Sequence, residues 1–237
     1  ISDLKKDPFG LAIQDYEAGS FDPNIYVYSE LCDEDIIPVK HLFRSYKNMP
    51  KLEQKALELA HGKILDVGAG AGCHAKYLQE NNADVFAIDI SKRAVEFYQK
   101  QDIPSACMDY FDVSQKYDTQ LFLMNGIGLG GQLKNLEKTL LKAKDIMLPG
   151  GQILCDSTDI KYLYEEEDGS FWMDLNSNYY GEFKFQTKYK DAVSDWFDWL
   201  YVDFETLKMT AEKCNLKAEI ILEGENHDYL ARIIAHD

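Results

Sequence analysis

Lys63-Ile64-Leu65-Asp66-Val67-Gly68-Ala69-Gly70-Ala71-Gly72 is a short apolar run that passes straight into a glycine turn. Ile64, Leu65 and Val67 are strand formers in a buried-strand pattern. Three glycines at alternate positions then strip Cβ atoms from the turn. The backbone there can take positive φ, and a ligand can approach the main chain closely. Cys73-His74-Ala75-Lys76-Tyr77-Leu78 continues as a helix whose free N–H groups point back at the turn. Strand, turn and helix together make a place for a nucleoside-bearing ligand at the carboxyl end of a strand.

The spacing narrows the ligand. A dinucleotide fingerprint needs glycine at its first, third and sixth positions. Counted from Gly68, the sixth position is Cys73, and no Lys-Ser/Thr pair follows the glycines. A pyrophosphate is therefore not the expected passenger. Asp66, two residues ahead of Gly68, suits a ligand with a cationic amino group. The other reading is a plain structural corner. The next apolar run, Asp84-Val85-Phe86-Ala87-Ile88-Asp89, closes on an acid. An acid about 20 residues beyond the first glycine, at the tip of the second strand, accepts hydrogen bonds from ribose hydroxyls. Ser91 can cap the helix Lys92 to Lys100, which frees Asp89 for the ligand.

From Lys63 onward strand and helix alternate, the pattern of a parallel α/β sheet. Strands are expected at 63–67, 84–89, 104–108, 119–125 and 151–156, with helices at 73–82, 92–101 and 132–147 between them. The fourth strand breaks into Asn125-Gly126-Ile127-Gly128-Leu129-Gly130-Gly131, a glycine density that suggests close approach of backbone to ligand. Leu148-Pro149-Gly150-Gly151 is expected to close the preceding helix, because glycine ends a helix and proline prevents its extension. Asp156, Ser157 and Asp159 then fall at the functional edge of the fifth strand, or serve only as caps and turn formers.

The residues now resemble a known family. ILDVGAGAG followed by VFAIDIS is similar to the first motif and its successor in the class I S-adenosylmethionine-dependent methyltransferases. The resemblance runs from about Gly62 to Asp159 and resumes over roughly the last 35 residues. It implies a Rossmann-like α/β fold: a seven-stranded, mostly parallel sheet with helices on both faces and a final antiparallel strand. It implies S-adenosyl-L-methionine as cofactor, with Asp66, Gly68, Gly70 and Gly72 around the methionine part and ribose. By the same resemblance Asp89 is expected to hold the ribose, with Ile90 counted beside it, and Asp109 to accept from the adenine amino group, with Tyr110 or Phe111 against the ring. Asn125, at the tip next to the cofactor strand, is expected to face the transferred methyl. Asn125 and Asp156 are the candidates for catalysis, without a clear base. The proline-proline-aromatic signature of nucleic-acid amino-methylating enzymes is replaced by Gly126-Ile127. Met124-Asn125-Gly126-Ile127-Gly128 with Asp156-Ser157 resembles a bacterial group of the class, taken to act on small molecules.

The flanks are less regular. Residues 1–61 are read as a helical arm or lid, with helices over Pro8 to Tyr16, Val39 to Tyr46 and Pro50 to Ala60. The cofactor core is 62–159. Residues 160–202 hold all three tryptophans, Trp172, Trp196 and Trp199, among many tyrosines and phenylalanines. Phe183, Phe185, Thr187 and Tyr189 alternate, as do Phe197, Trp199 and Tyr201. This reads as a β-rich aromatic insert or cap, either a substrate lid or an ordinary aromatic core. Residues 203–237 supply the last helix and a closing strand pair.

Composition sets bounds. A chain of 237 residues with 46% hydrophobic content can bury one generous core. Its net charge of −16 repels phosphate backbones, so no nucleic-acid substrate is expected. Five scattered cysteines without a C-x-x-C read as reduced cytoplasmic thiols, and the histidines lack ligand spacing, so no metal is expected. No run approaches ~18 apolar residues, and Ile1 to Pro8 lacks a signal-peptide core, so no membrane partner is expected. The expected assembly is a monomer or homodimer. The expected activity is methyl transfer to a small-molecule acceptor. The alternatives are a non-catalytic S-adenosylmethionine-binding interaction or regulatory protein on the same fold, and, more weakly, an NAD-dependent reductase.

Overall fold

The computed structural model describes residues 4–20, 23–30, 33–164 and 178–236. The arm holds α1 (Pro8–Glu17), β1 (Asn24–Ser29), β2 (Asp35–Pro38), α2 (Val39–Leu42) and α3 (Lys51–Leu59). The core follows with β3 (Lys63–Val67), α4 (Cys73–Glu80), β4 (Asp84–Asp89), α5 (Lys92–Lys100), β5 (Ser105–Cys107), β6 (Tyr117–Phe122), α6 (Leu133–Asp145) and β7 (Met147–Thr158). The rest is β8 (Glu182–Tyr189), β9 (Ala192–Val193), β10 (Phe197–Leu200), α7 (Phe204–Lys213), β11 (Leu216–Glu223) and β12 (Asp228–Ala235).

The main sheet has seven strands in the order β11-β12-β7-β6-β3-β4-β5. Strands β7, β6, β3, β4 and β5 pair in parallel, and β12 runs antiparallel to both of its neighbours. The chain leaves β3 toward β4 and β5, then returns to the other side as β6. That reversal opens a crevice at the carboxyl ends of β3 and β6.

Alternation along the strands divides the core. Ile64, Val85, Leu121 and Leu154 face α1, α3, α4 and α5, where they meet Ile13, Leu52, Ala75 and Val95. Leu65, Ile88, Phe122 and Ile153 face α6 and α7, against Leu136, Leu140 and Leu207. Both faces are buried, which is why these strands read as continuous apolar runs rather than half-polar ones.

The Pro-Gly-Gly stretch works differently from the sequence expectation. The helix α6 already ends at Asp145, and Leu148 to Gly151 lie inside β7. Tyr117 pairs with Met147 but Thr119 pairs with Gln152, so β7 bulges outward there. Gly150, at φ +77°, makes the bulge possible.

A second, antiparallel sheet runs β10-β8-β1-β2, with β9 on β8. The arm is thus not only helical. Ile25, Tyr26, Val27 and Tyr28 are strand formers, and their partners lie far down the chain: Tyr26 opposes Lys188 and Val27 opposes Thr187. The helix expected over Val39 to Tyr46 shortens to α2. The alternating aromatics of the insert do form strands, with Phe197 opposite Phe185 and Trp199 opposite Phe183. Phe171 and Trp172 lie outside the described residues. Among the described residues no helix is long and apolar enough to cross a membrane.

Candidate active site

The glycine turn is open where a ligand needs it. Gly68, Gly70 and Gly72 take φ of +67°, +60° and +74°. The backbone N–H groups of Gly68 and Ala69 both donate to Ile88 O, at 2.9 and 3.1 Å. A Cβ built on Gly68 or Gly70 would meet nothing within 4 Å, whereas one on Gly72 would lie 3.1 Å from the Tyr98 ring. Two of the glycines therefore keep space clear, and the third lets α5 pack close. The buried Tyr98 hydroxyl donates to Gly70 O from beneath.

Two acids flank the turn. Asp66 is only 2% exposed, and its Oδ2 has no hydrogen-bond partner among the described residues. Burial raises its pKa, against the opposing pull of His74 and the Ala75 N–H. A buried acid oxygen left without a donor calls for one from outside. Asp89 is half-buried. Its Oδ2 accepts from the Gly70 N–H at 3.0 Å and its Oδ1 from the Ser91 N–H at 2.8 Å. Burial pushes its pKa up to about 6, and those two N–H donors pull the other way. Ser91 caps α5 as expected, accepting from Ala94 N–H at 3.1 Å, and its hydroxyl donates to Asp7 Oδ2 at 2.7 Å. Asp89 is nevertheless not free, because it braces the turn itself. Ile90 beside it is 59% exposed.

The third strand tip departs from expectation. Asp109 is exposed and caps the short turn Tyr110–Asp112 through the Phe111 N–H at 2.8 Å. Tyr110 is 4% exposed, packs edge-on against Phe122 and donates its hydroxyl to Gln120 Oε1 at 2.9 Å. It is a core residue, not a wall of the cleft. Its aromatic character fits either place, and the buried amide of Gln120 decides it. Phe111 stays half-buried, with the Lys138 ammonium 4.5 Å from its ring centre.

At the fourth and fifth tips, Met124 and Asn125 both take left-handed backbone, φ +60° and +58°. Consecutive non-glycine residues in that region cost energy and cluster at functional sites. Asn125 N–H donates to Asp156 Oδ1 at 3.2 Å, its Oδ1 accepts from Thr158 Oγ1 at 3.4 Å, and its carbonyl accepts from Trp199 Nε1 at 3.2 Å. The nearby glycines answer to protein, not ligand: a Cβ on Gly128 would lie 2.1 Å from Leu200 O, and one on Gly131 2.8 Å from Asp198 Cβ. Strand β10 passes directly over this loop. Asp156 is half-buried, and burial together with the Glu53 charge pushes its pKa up to about 7. Ser157 is buried and accepts from Val202 N–H at 3.0 Å. Asp159 Oδ1 accepts from the Tyr180 hydroxyl at 2.8 Å.

Sequence reasoning missed a buried ionic cluster. One oxygen, Glu53 Oε2, lies 2.5 Å from Arg44 Nη2 and 2.8 Å from His74 Nε2. All three side chains are buried. Burial would raise Glu53, yet His74 and Arg44 hold it below the usual carboxylate range. Burial would lower His74, yet Cys73, Glu53 and Asp66 raise it well above an ordinary imidazole. Arg44 and His74 line a cavity of about 30 Å3 with Asp66, Gly68, Gly70 and Met124. The available signal was Glu53 itself, an acid sharing the apolar face of α3 with Leu52, Ala56 and Leu57.

Comparison with known proteins agrees with this geometry. The model of a methyltransferase domain matches residues 65–155. The crystal structure of a SAM-dependent methyltransferase from Bacteroides fragilis, in complex with S-adenosyl-L-homocysteine, is 46% identical. The match covers 100% of this chain and 98% of that one, with a TM-score of 0.94. The CcbJ methyltransferase from Streptomyces caelestis is 13% identical over 81% of this chain and 95% of its own, with a TM-score of 0.61. A S-adenosylmethionine-dependent methyltransferase from Clostridium acetobutylicum is 12% identical over 84% and 95%, with a TM-score of 0.57. The last two share the fold alone. A search of curated proteins finds no match. At this level of identity over its whole length, the chain belongs to the class I S-adenosylmethionine-dependent methyltransferases, enzymes that transfer the methyl group of that cofactor.

Proposed function

We propose that this enzyme methylates a small molecule, with the cofactor held between the glycine turn and the tips of β3 and β4. The observation that carries the placement is the pairing of an unpartnered, buried Asp66 oxygen with clear space over Gly68 and Gly70. Those features fit S-adenosylmethionine, whose amino acid end supplies an ammonium and whose sugar needs close backbone approach. Asp66 would take the ammonium side. Asp89, fixed by Gly70 and Ser91, would present its remaining lone pairs to the ribose hydroxyls, with Ile90 exposed beside the base. Asp109 would stand at the adenine edge.

When bound, the cofactor supplies an electrophilic methyl on a sulfonium sulfur. The chain's own task is to align an acceptor with that methyl and to exclude water. The acceptor would approach from Asn125 and Asp156, beneath the cover formed by β8 and β10. The net charge of −16 supports a small acceptor over a phosphate backbone. The scattered cysteines, with Cys73, Cys107, Cys155 and Cys214 free among the described residues, support a reducing, cytoplasmic setting.

Calorimetric titration with S-adenosylmethionine, followed by incubation of the protein with methyl-labelled cofactor and cell extract, tests this reading. Label is expected in the low-molecular-weight fraction. Label confined to RNA, DNA or protein would overturn the small-molecule acceptor.

A further inference from the structure

Building on the small-molecule reading, we propose that the acceptor is an amine that reaches the site as an ammonium ion, and that Asp156 is the carboxylate that holds and deprotonates it. The geometry begins with register. Asp66 and Leu154 both pair with Leu121 across the intervening strand β6. Side chains alternate along β7, so Asp156 lies on the same sheet face as Leu154 and Asp66, two residues nearer the carboxyl edge. Two strand spacings and two residues of rise separate the two acids by roughly 12 Å. One acid thus stands at the amino acid end of the cofactor cleft, and the other stands beyond it, toward the acceptor.

The hydrogen bonds of Asp156 leave it available. Oδ1 accepts the Asn125 N–H, and the N–H of Asp156 itself is a second donor to the carboxylate. The left-handed backbone of Asn125 aims that N–H, and Trp199 locks the same residue through its carbonyl. Asp156 is therefore held in place by main-chain donors, and its carboxylate keeps lone pairs for a further donor. Burial and Glu53 bring its proton affinity near neutrality, which lets it take a proton and release it again under ordinary conditions.

Charge selects the acceptor class. The cations of the cleft, Arg44 and His74, both converge on Glu53 Oε2, which offsets one of their two charges, and Asp66 beside His74 offsets the other. What remains toward the acceptor is anionic: Asp156, with Asp159 farther along the same strand edge. A carboxylate or phosphate acceptor would meet like charge. A neutral hydroxyl would gain nothing from it. An ammonium is attracted.

The step balances. The ammonium gives one proton to Asp156, which becomes neutral. The freed nitrogen lone pair forms the new N–C bond to the methyl as the S–C bond breaks. The bonding pair of the broken bond stays on sulfur, which ends as a neutral thioether. The product is a methylated ammonium, and Asp156 returns its proton to solvent.

The test uses the unaltered full chain with tritium-methyl S-adenosylmethionine and a small-molecule cell extract, with the labelled product passed over a cation exchanger at neutral pH. Retention of the label is expected. A labelled neutral or anionic product overturns the amine assignment and leaves the small-molecule reading intact; no labelled small molecule at all overturns both. In parallel, D156N is expected to bind S-adenosyl-L-homocysteine within about twofold of the parent and to turn over about 100-fold more slowly. Its residual rate should climb about tenfold per pH unit above neutrality as free amine accumulates. A parent-like rate, or a residual rate flat with pH, overturns the role of Asp156. The product's charge, read on the parent chain, decides the acceptor class even if D156N does not fold.

Discussion

Asp89 holds Gly70 by a 3.0 Å hydrogen bond from the glycine N–H, so the acid at the second strand tip sets the shape of the turn after the first. The same carboxylate caps Ser91 N–H with its other oxygen. Loss of the side chain therefore acts twice, on the ligand and on the turn that cradles it. Asp89→Ala should weaken S-adenosylmethionine binding by about 1–3 kcal/mol, read by calorimetry. Asp89→Asn should lose less, because its amide oxygen can still accept one of the two bonds. Equal affinity in the alanine variant would show that the acid serves neither purpose.

Gly70→Val should abolish cofactor binding while leaving a folded protein. The space over Gly70 is empty, so the valine side chain enters the cleft instead of the core. The left-handed φ of +60° adds about 1–2 kcal/mol of strain. Circular dichroism together with a binding titration separates the two effects. Retained affinity would place the ligand elsewhere.

The Arg44–Glu53–His74 cluster should be unforgiving of partial removal. Glu53→Ala leaves two buried cations facing each other, at a cost of about 3–5 kcal/mol. Urea unfolding reads the loss directly. Because Glu53 oxygen joins a residue after α2 to the first turn of α4, the same variant should also loosen the cavity beside Asp66.

Stability should fall as the solution goes from mildly acidic to neutral. Burial raises Asp89 to about 6 and Asp156 to about 7, above ordinary carboxylates. Between about pH 4 and 7 the folded chain then binds more protons than the unfolded one, so unfolding free energy declines as pH rises through that window. Glu53 and Asp203 are held below the ordinary range and work the other way, losing their contribution only under more acidic conditions. Urea midpoints at pH 5 and 7 should differ in this sense, and D156N should flatten the slope. A midpoint that rises toward neutrality would contradict the burial of these acids.

The cofactor half was legible because its signals are local. Ile64, Leu65 and Val67 run into three glycines within ten residues, and strand, turn and helix follow from that stretch alone. Ser91 capped its helix for the same reason. Tyr110 was misplaced because a tyrosine after a strand suits a ligand wall and a core equally, and only its distant partner Gln120 separates the two. The glycines after Asn125 signalled close approach correctly but not of what: the approaching backbone is Leu200, some 70 residues on. The strand character of Tyr26 and Val27 was hidden among turn formers, because the residues that make it a strand, Lys188 and Thr187, carry no mark of the pairing. Glu53 lay in plain view on the apolar face of α3, and its partners Arg44 and His74 became visible only in three dimensions.

That long-range pairing between β1 and β8 has a consequence for biosynthesis. A ribosome exposes Ile25 to Tyr28 well before it has made the strand that will lie against them. During that interval the nascent β1 and β2 carry an unclaimed edge of main-chain donors and acceptors, the kind of surface on which chains stick to one another. Chaperone demand during translation should therefore peak before residue 182 emerges and subside after residue 189.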